Sequence, residues 1–289
     1  MSGSGRPDLN GKGDAHGGGW YVLARPEGKR CLIVAARGKT VSRLGHGEVL
    51  HRWRSGVPCG SPETATKEDL ATVIECVYYE PTRTYVAVDV MSWGGYSLYD
   101  CTAEFRFYWL RTKLGELDGP VGDYGILPAP YFDADDAGVR RAYEGVTPFV
   151  RDGLLFYNKQ GHYALGLTPL VALYKDASCT RYFAPADEGL FVVLAHDAAS
   201  GDLRTLDGTP VPRLLKPADP PLRDGDLARF SLAEAPQGQG GLAATFDRKC
   251  SHKRALPDTA SKIAFALRHK HGSPLAIGDI LAVAAGAVS

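Results

Sequence analysis

The chain has 289 residues, 44% apolar and 23% charged, which is long enough for a proper core and too apolar for disorder throughout. Its 33 basic residues balance 33 acidic ones. A protein that coats long nucleic acid without regard to sequence is usually basic overall, so this balance speaks against that class, and recognition of one small, localised ligand stays open. The six cysteines (Cys31, Cys59, Cys76, Cys101, Cys179 and Cys250) include no Cys-X-X-Cys pair, so neither a zinc site nor a disulfide framework is expected. No apolar run is long enough to span a membrane, and the start lacks the charged-then-apolar layout of a signal sequence. A soluble, intracellular protein with no membrane partner is expected.

Met1–Gly19 holds seven glycines and almost nothing apolar. It cannot bury enough surface to offset the entropy of ordering and is expected to be a flexible arm. From Trp20 the pattern changes. WYVLA at Trp20–Ala24 and CLIVAA at Cys31–Ala36 read as short strands, and Ala71–Glu80 with Thr84–Val90 predicts a hairpin turned by Pro81–Arg83. Ala103–Leu117 places aromatics at helical spacing and predicts a helix, and a loop-rich stretch then leads to a short helix over Asp136–Tyr143. Strands return at Gly153–Lys159, Pro169–Tyr174 and Leu190–Ala195, while the five prolines of Ala198–Gly225 mark an elaborated loop or hairpin region. Asp258-Thr259 caps a helix through Lys270 that stops at Gly272, and Ser273-Pro274 opens a last helix ending in Leu281–Gly286. No repeat is visible and no linker follows Trp20. The expected architecture is one α+β domain over 20–289, with packed, mostly antiparallel sheets and flanking helices.

Charge is uneven along this neutral chain. Arg25, Lys29, Arg30, Arg37, Lys39, Arg43, Arg52 and Arg54 fall within one segment that holds only Glu27 and Glu48 as acids, a local basic field suited to an anionic ligand.

Three stretches carry a family resemblance: GKRCLIVAARG at Gly28–Gly38, TYVAVDVMSWGGYSLYDCTAEFRFYW at Thr84–Trp109, and DGLLFYNKQGHY at Asp152–Tyr163. Together they resemble the snurportins, adapters that bind the trimethylguanosine cap of spliceosomal small nuclear RNAs. The resemblance runs from Trp20 to Tyr174 and leaves 175–289 as an extension with two carboxy-terminal helices. It implies a core like the nucleotidyltransferase domain of mRNA capping enzymes and nucleic-acid ligases. In those enzymes a lysine in the pattern Lys-any-Asp-Gly-any-Arg attacks the α-phosphorus, which requires an amine that can lose its proton. The matching segment here is Arg25-Pro26-Glu27-Gly28-Lys29-Arg30. A guanidinium does not deprotonate in proteins, and Lys29 lies four residues further on. Asp152-Gly153-Leu154-Leu155-Phe156 resembles the strand under the nucleotide, but the Asp-Gly-Glu signature has no copy and Asp89-Val90-Met91 stands in its place. No catalytic residue, metal or cofactor is therefore expected: the fold would hold a nucleotide without transferring it.

The resemblance also implies the binding residues. Lys29, Arg30 and Cys31 match a segment that contacts the cap. The loop that supplies a further lysine reads Leu44-Gly45-His46-Gly47 here, with Gly45 or His46 in the lysine position and Arg43 or Lys39 as substitutes. A trimethylguanosine ring is a delocalised cation that gains on the order of 1–3 kcal/mol from an aromatic face. Its dimethylated exocyclic nitrogen has no proton to give a carboxylate. Leu173 occupies the family's stacking tryptophan position, and Tyr174 beside it should point to the other face of the strand unless a bulge shifts the register. Trp93 next to Gly94-Gly95 is a further candidate, since glycines permit close approach. The candidate cap-binding set is thus Arg25, Lys29, Arg30, Cys31, Arg43, His46, Trp93, Leu173 and Tyr174. His162 reads equally as a turn residue, and His269 and His271 diverge at i and i+2. The implied partners are trimethylguanosine-capped small nuclear RNA and an import receptor of the importin-beta type, with shuttling between cytoplasm and nucleus. The basic helix that would bind that receptor is not visible in Met1–Gly19. The rival readings are an active guanylyltransferase or RNA ligase, and a protein-interaction scaffold that has lost the cap.

Overall fold

A computed structural model describes residues 19–45, 47–65, 70–117, 122–166, 168–181, 190–211, 218–234, 242–251, 255–271 and 275–286. The expected arm before Gly19, the candidate His46, the helix stop at Gly272 and Ser273-Pro274 lie outside the described residues, as do the side chains of His269 and His271. The strands are β1 (Trp20–Pro26), β2 (Lys29–Ala36), β3 (Lys39–Leu44), β4 (Val49–Trp53), β5 (Ala71–Tyr79), β6 (Thr84–Trp93), β7 (Tyr96–Ser97), β8 (Gly125–Pro128), β9 (Tyr131–Asp133), β10 (Arg151–Asn158), β11 (Val171–Tyr174), β12 (Leu190–Asp197), β13 (Asp202–Arg204), β14 (Pro210–Val211), β15 (Leu227–Glu234) and β16 (Leu242–Lys249). The helices are α1 (Ala103–Gly115), α2 (Asp136–Glu144), α3 (Ala260–His271) and α4 (Ile277–Ala284). Among the described residues, no helix is long and apolar enough to cross a membrane.

The local reasons for these elements are legible in the residues. The β5–β6 hairpin turns through a short 3-10 segment, with Pro81 early in it and Arg83 in the left-handed region at its end. Thr102 and Asp135 accept hydrogen bonds from the Phe105 and Gly138 amides and so cap α1 and α2. Thr259 does the same for α3 through Lys262, as expected.

Where one domain was expected over 20–289, the backbone contacts form two compact units: Met1–Phe183 with Ala276–Ser289, and Ala184–Leu275. Each closes its own core. In the second unit β14-β13-β12-β15-β16 form an antiparallel sheet, and Val192, Leu194, Phe230 and Leu232 pack with Ile263 of α3.

The first unit holds two sheets. One has the order β11-β10-β1-β9; the other runs β4-β3-β2-β5-β6-β7, with β8 added parallel to β6. All other pairings among the described residues are antiparallel, so the α+β class with mostly antiparallel sheets holds. The sheets face each other through Tyr21, Leu23 and Tyr157 on one side and Val77, Val86 and Val88 on the other. The outer face of the four-stranded sheet buries Trp20, Val22, Leu154 and Phe156 under α2 and α4. The outer face of the seven-stranded sheet buries Cys31, Ile33, Ile74, Cys76, Tyr85 and Trp93 with Leu110 and Leu114 of α1.

Candidate functional site

Side chains alternate along a strand, and residues directly opposite in antiparallel strands share a face. On β2 the odd residues Cys31, Ile33 and Ala35 lie in the outer core, so Arg30, Leu32 and Val34 point to the inter-sheet side. Arg30 stands opposite Val77 and Leu32 opposite Glu75. The Arg30 side chain remains 69% exposed, with Nε donating to Glu75 Oε1 at 2.6 Å. The second oxygen of Glu75 accepts from Tyr163 Oη at 2.9 Å. Burial and the Glu75 charge push the Tyr163 phenol well up, so it stays a donor. Glu75, inside an apolar strand, thus has both oxygens engaged and leaves the two terminal nitrogens of Arg30 to the cleft.

A second cluster borders the first. Asp152 at the start of β10 pairs with Arg25, accepts from Lys175 Nζ at 2.6 Å and from Thr180 Oγ1 at 2.5 Å. Burial would raise the Asp152 carboxyl, but the Lys175 and Thr180 hydrogen bonds and the Arg25 charge hold it below its ordinary value. It is ionised and fully engaged. Arg25 and Arg30 lie near enough for each to be felt by the other. Two cations around one carboxylate leave this corner positive. Gly153 makes the corner possible: at φ +105° its missing Cβ would come within 2.6 Å of the Tyr174 carbonyl and 3.3 Å of Leu173 Cδ1.

Leu173 lies opposite Leu155, on the inter-sheet side, and is 50% exposed. Tyr174 lies opposite Leu154 in the outer core and is 6% exposed, its hydroxyl donating to Asp176 at 2.7 Å. No bulge interrupts β10–β11 pairing, so the alternation expected of this pair holds and Tyr174 faces away from the site.

Asp89 is directly opposite Glu75, but Arg106 of α1 claims both its oxygens, Nε to Oδ1 at 2.8 Å and Nη2 to Oδ2 at 2.9 Å, with both side chains buried. Arg106 also donates to the Cys101 and Gly161 carbonyls. One guanidinium thus occupies a lone pair on each Asp89 oxygen, and the Val90 amide donates to Oδ1 at 2.8 Å as well, so the acid is engaged within the protein.

The structure thus puts Arg30 and Leu173 on the inter-sheet side with Arg25 near Arg30, and besides Tyr174 it moves three other candidates away. Lys29 stands opposite Tyr78 of the outer core, and its charge is felt by His51 on that face, so it does not point with Arg30. The Cys31 side chain is buried in the outer core, and burial pushes its thiol up to about 12; it can offer a ligand neither a thiolate nor an open surface. Trp93, 6% exposed, also belongs to that core, where it lines an open depression of about 370 Å³ beside Pro58 and Leu117. Gly94 and Gly95 both have positive φ and form the two-residue turn to β7, so their role is the hairpin. Arg43 stands opposite Leu32, on the cleft side, with Nη1 on the Gly47 carbonyl at 3.0 Å. Lys39, at the far end of β3 opposite Ala36, is about 13 Å along the strand from Arg43 at roughly 3.3 Å per residue. His162 is exposed.

Glu75, Tyr163 and Lys175 were missed in the sequence. Glu75 carried a signal, since a carboxylate inside ATVIECVYY must find a partner if the strand is buried. Lys175 and Tyr163 carried none, because their partners are distant in the chain.

Residues 9–176 match the Snurportin1 m3G cap-binding domain. The match spans more than half of the chain, and the protein belongs to this family of cap-binding domains. Solved DNA ligase structures are also loosely similar. Mycobacterial DNA ligase D complexed with ATP and MES is 12% identical at a TM-score of 0.39, over 83% of this chain and 92% of that one. The ligase domain of M. tuberculosis LigD is 11% identical at 0.39, over 80% and 89%. A Lig E DNA ligase is 14% identical at 0.36, over 80% and 92%.

Proposed function

We propose that this protein binds the trimethylguanosine cap of small nuclear RNAs in the inter-sheet cleft and acts as a non-catalytic adapter for nuclear import of spliceosomal ribonucleoproteins, shuttling between cytoplasm and nucleus. An importin-beta-type receptor is the partner this role requires. The observation that carries the reading is the cluster of cations held by Asp152 and Glu75, in a chain that belongs to the cap-binding family. Arg25, Arg30 and Lys175 supply positive charge for the triphosphate, and Leu173 offers an apolar surface beside them. Both cleft-side acids, Glu75 and Asp152, are engaged by the protein's own donors. Neither of these two carboxylates waits for an exocyclic amine proton, which suits a base whose amine is dimethylated.

The absence of catalysis rests on two further points. Arg25 holds the position of the nucleophilic lysine and is ion-paired to Asp152. Asp89 is closed off by Arg106.

Titration of the purified protein with trimethylguanosine, monomethylguanosine and unmethylated cap dinucleotides tests the reading. The trimethylated cap should bind tightest, and equal or absent binding of all three would remove it. Incubation with labelled GTP or ATP and a divalent metal should give no covalent adduct. A lysine-linked, acid-labile adduct would establish a transferase instead.

A further inference from the structure

The four-stranded sheet covers only part of the seven-stranded one. The inter-sheet core draws on β5 and β6 but on no residue of β2, β3 or β4. Among the described residues no core cluster covers the inter-sheet side of those three strands, and the pairing says what stands on it. Val34 lies opposite Val41, Val41 opposite Arg52, Leu32 opposite Arg43 and Ala36 opposite Lys39. Leu32, Val34 and Val41 are half-buried and belong to no core cluster, while Lys39, Arg43 and Arg52 are exposed. Among the described residues none of these three cations has a carboxylate partner. They differ in this from Arg25 and Arg30, each of which is held by an acid.

We propose that this face is a track for the RNA chain that follows the cap. Lys39, Arg43 and Arg52 contact its phosphates, and the aliphatic floor lies beneath its sugars and bases. The proposal rests on the cap reading, because the face begins at Arg30 in the cleft and is continuous with it along β2. From the row of Arg30 to that of Lys39 it runs six residues, about 20 Å at roughly 3.3 Å per residue. Unpaired cations on an open sheet complement a polyanion, and they do so locally in a chain that is neutral as a whole. The floor presents no aromatic ring and few hydrogen-bonding groups, so the track holds RNA without reading its sequence.

The test compares a trimethylguanosine cap dinucleotide, a capped ten-nucleotide RNA and the same RNA uncapped, against the full chain and its Lys39→Gln/Arg52→Gln variant. Both residues are exposed and lie away from the cap cluster, so the variant should fold and bind the dinucleotide unchanged. The capped oligomer should bind the wild type at least tenfold tighter than the dinucleotide at low salt, and the variant should lose that gain. Its plot of log affinity against log salt should flatten by about 1.4, at roughly 0.7 per phosphate contact on a single strand. No gain from the added nucleotides, or a gain that survives in the folded variant, overturns the track. If the dinucleotide does not bind at all, the cap reading falls separately. The uncapped RNA then decides: binding lost in the variant sustains the track, and no binding ends it.

Discussion

With its Nε held 2.6 Å from Glu75, the Arg30 guanidinium is restrained to one plane, and its forked end is presented to whatever enters the cleft. An arginine fixed in advance loses less freedom when it meets a phosphate. Arg30→Ala should weaken cap binding by about 1.5–3 kcal/mol, the usual scale for a charge-assisted contact. Because that change also strands the Glu75 carboxylate, the informative measurement is the double-mutant cycle with Glu75→Gln. A coupling of about 0.5–3 kcal/mol in cap affinity is expected; strict additivity would mean that Glu75 only supports the strand. At Leu173 the ligand has only area burial and dispersion to gain. Leu173→Trp should strengthen binding, and more for trimethylated cap than for unmethylated guanosine, since only the cationic ring profits from the aromatic quadrupole. Tyr174→Ala, on the opposite face, should cost stability more than affinity. The reverse outcome would place the stacking platform at Tyr174. At this scale the sequence was informative about which residue types gather and less so about which way they point: Lys29, Arg30 and Cys31 are consecutive, and a strand sends alternate ones to opposite faces.

At the scale of elements, the clear hydrophobic runs became strands and the capped aromatic stretch became α1. β3 and β4 were not anticipated. KTVSRL and VLHRW alternate apolar residues with basic and hydroxyl ones, and their stability comes from pairing with β2 rather than from composition. Their outward side carries a feature that only the fold creates. Ser42, Tyr85 and His51 are joined by contacts of 2.6 Å from Ser42 Oγ to Tyr85 Oη and from Tyr85 Oη to His51 Nδ1, and His51 stacks on Tyr124 at 4.4 Å. Burial, then the Lys29 charge, lower the His51 pKa; Glu80 opposes this and Arg83 adds to it. A histidine lowered on folding takes up its proton more readily in the unfolded chain, so its contribution to stability is present at neutral pH. That contribution is lost as pH falls through the ordinary histidine value of about 6.5 towards the folded one. The urea midpoint should be lower at pH 5.5 than at pH 7.5, and His51→Asn should reduce the difference. An undiminished difference in the variant would assign the effect to other groups.

At the scale of the molecule, two cores predict two unfolding transitions. All four tryptophans, Trp20, Trp53, Trp93 and Trp109, belong to the first unit, so indole fluorescence follows that unit alone while circular dichroism follows both. Ile280→Ala, which removes a buried side chain of α4 from beneath the four-stranded sheet, should destabilise the fluorescent transition by about 2–5 kcal/mol. It should leave the other transition in place, and a shift of both would show that the units unfold as one. The division into units was hidden in the sequence because no linker composition marks it, and because the residues that complete the first core are separated by the whole of the second.

That separation has a consequence for the order of synthesis. β11 ends at Tyr174 and α4 begins at Ile277, so at roughly 5–20 residues per second the ribosome adds the covering helix about 5–20 s after the strands it covers. During that interval Trp20, Val22, Leu154 and Phe156 lack part of their cover, and the intervening unit, whose core closes only with Ile263 of α3, is itself still being made. The nascent chain therefore leaves part of an apolar sheet face uncovered until α4 is made, and the first unit reaches its final form only after the unit inserted in its sequence has been made.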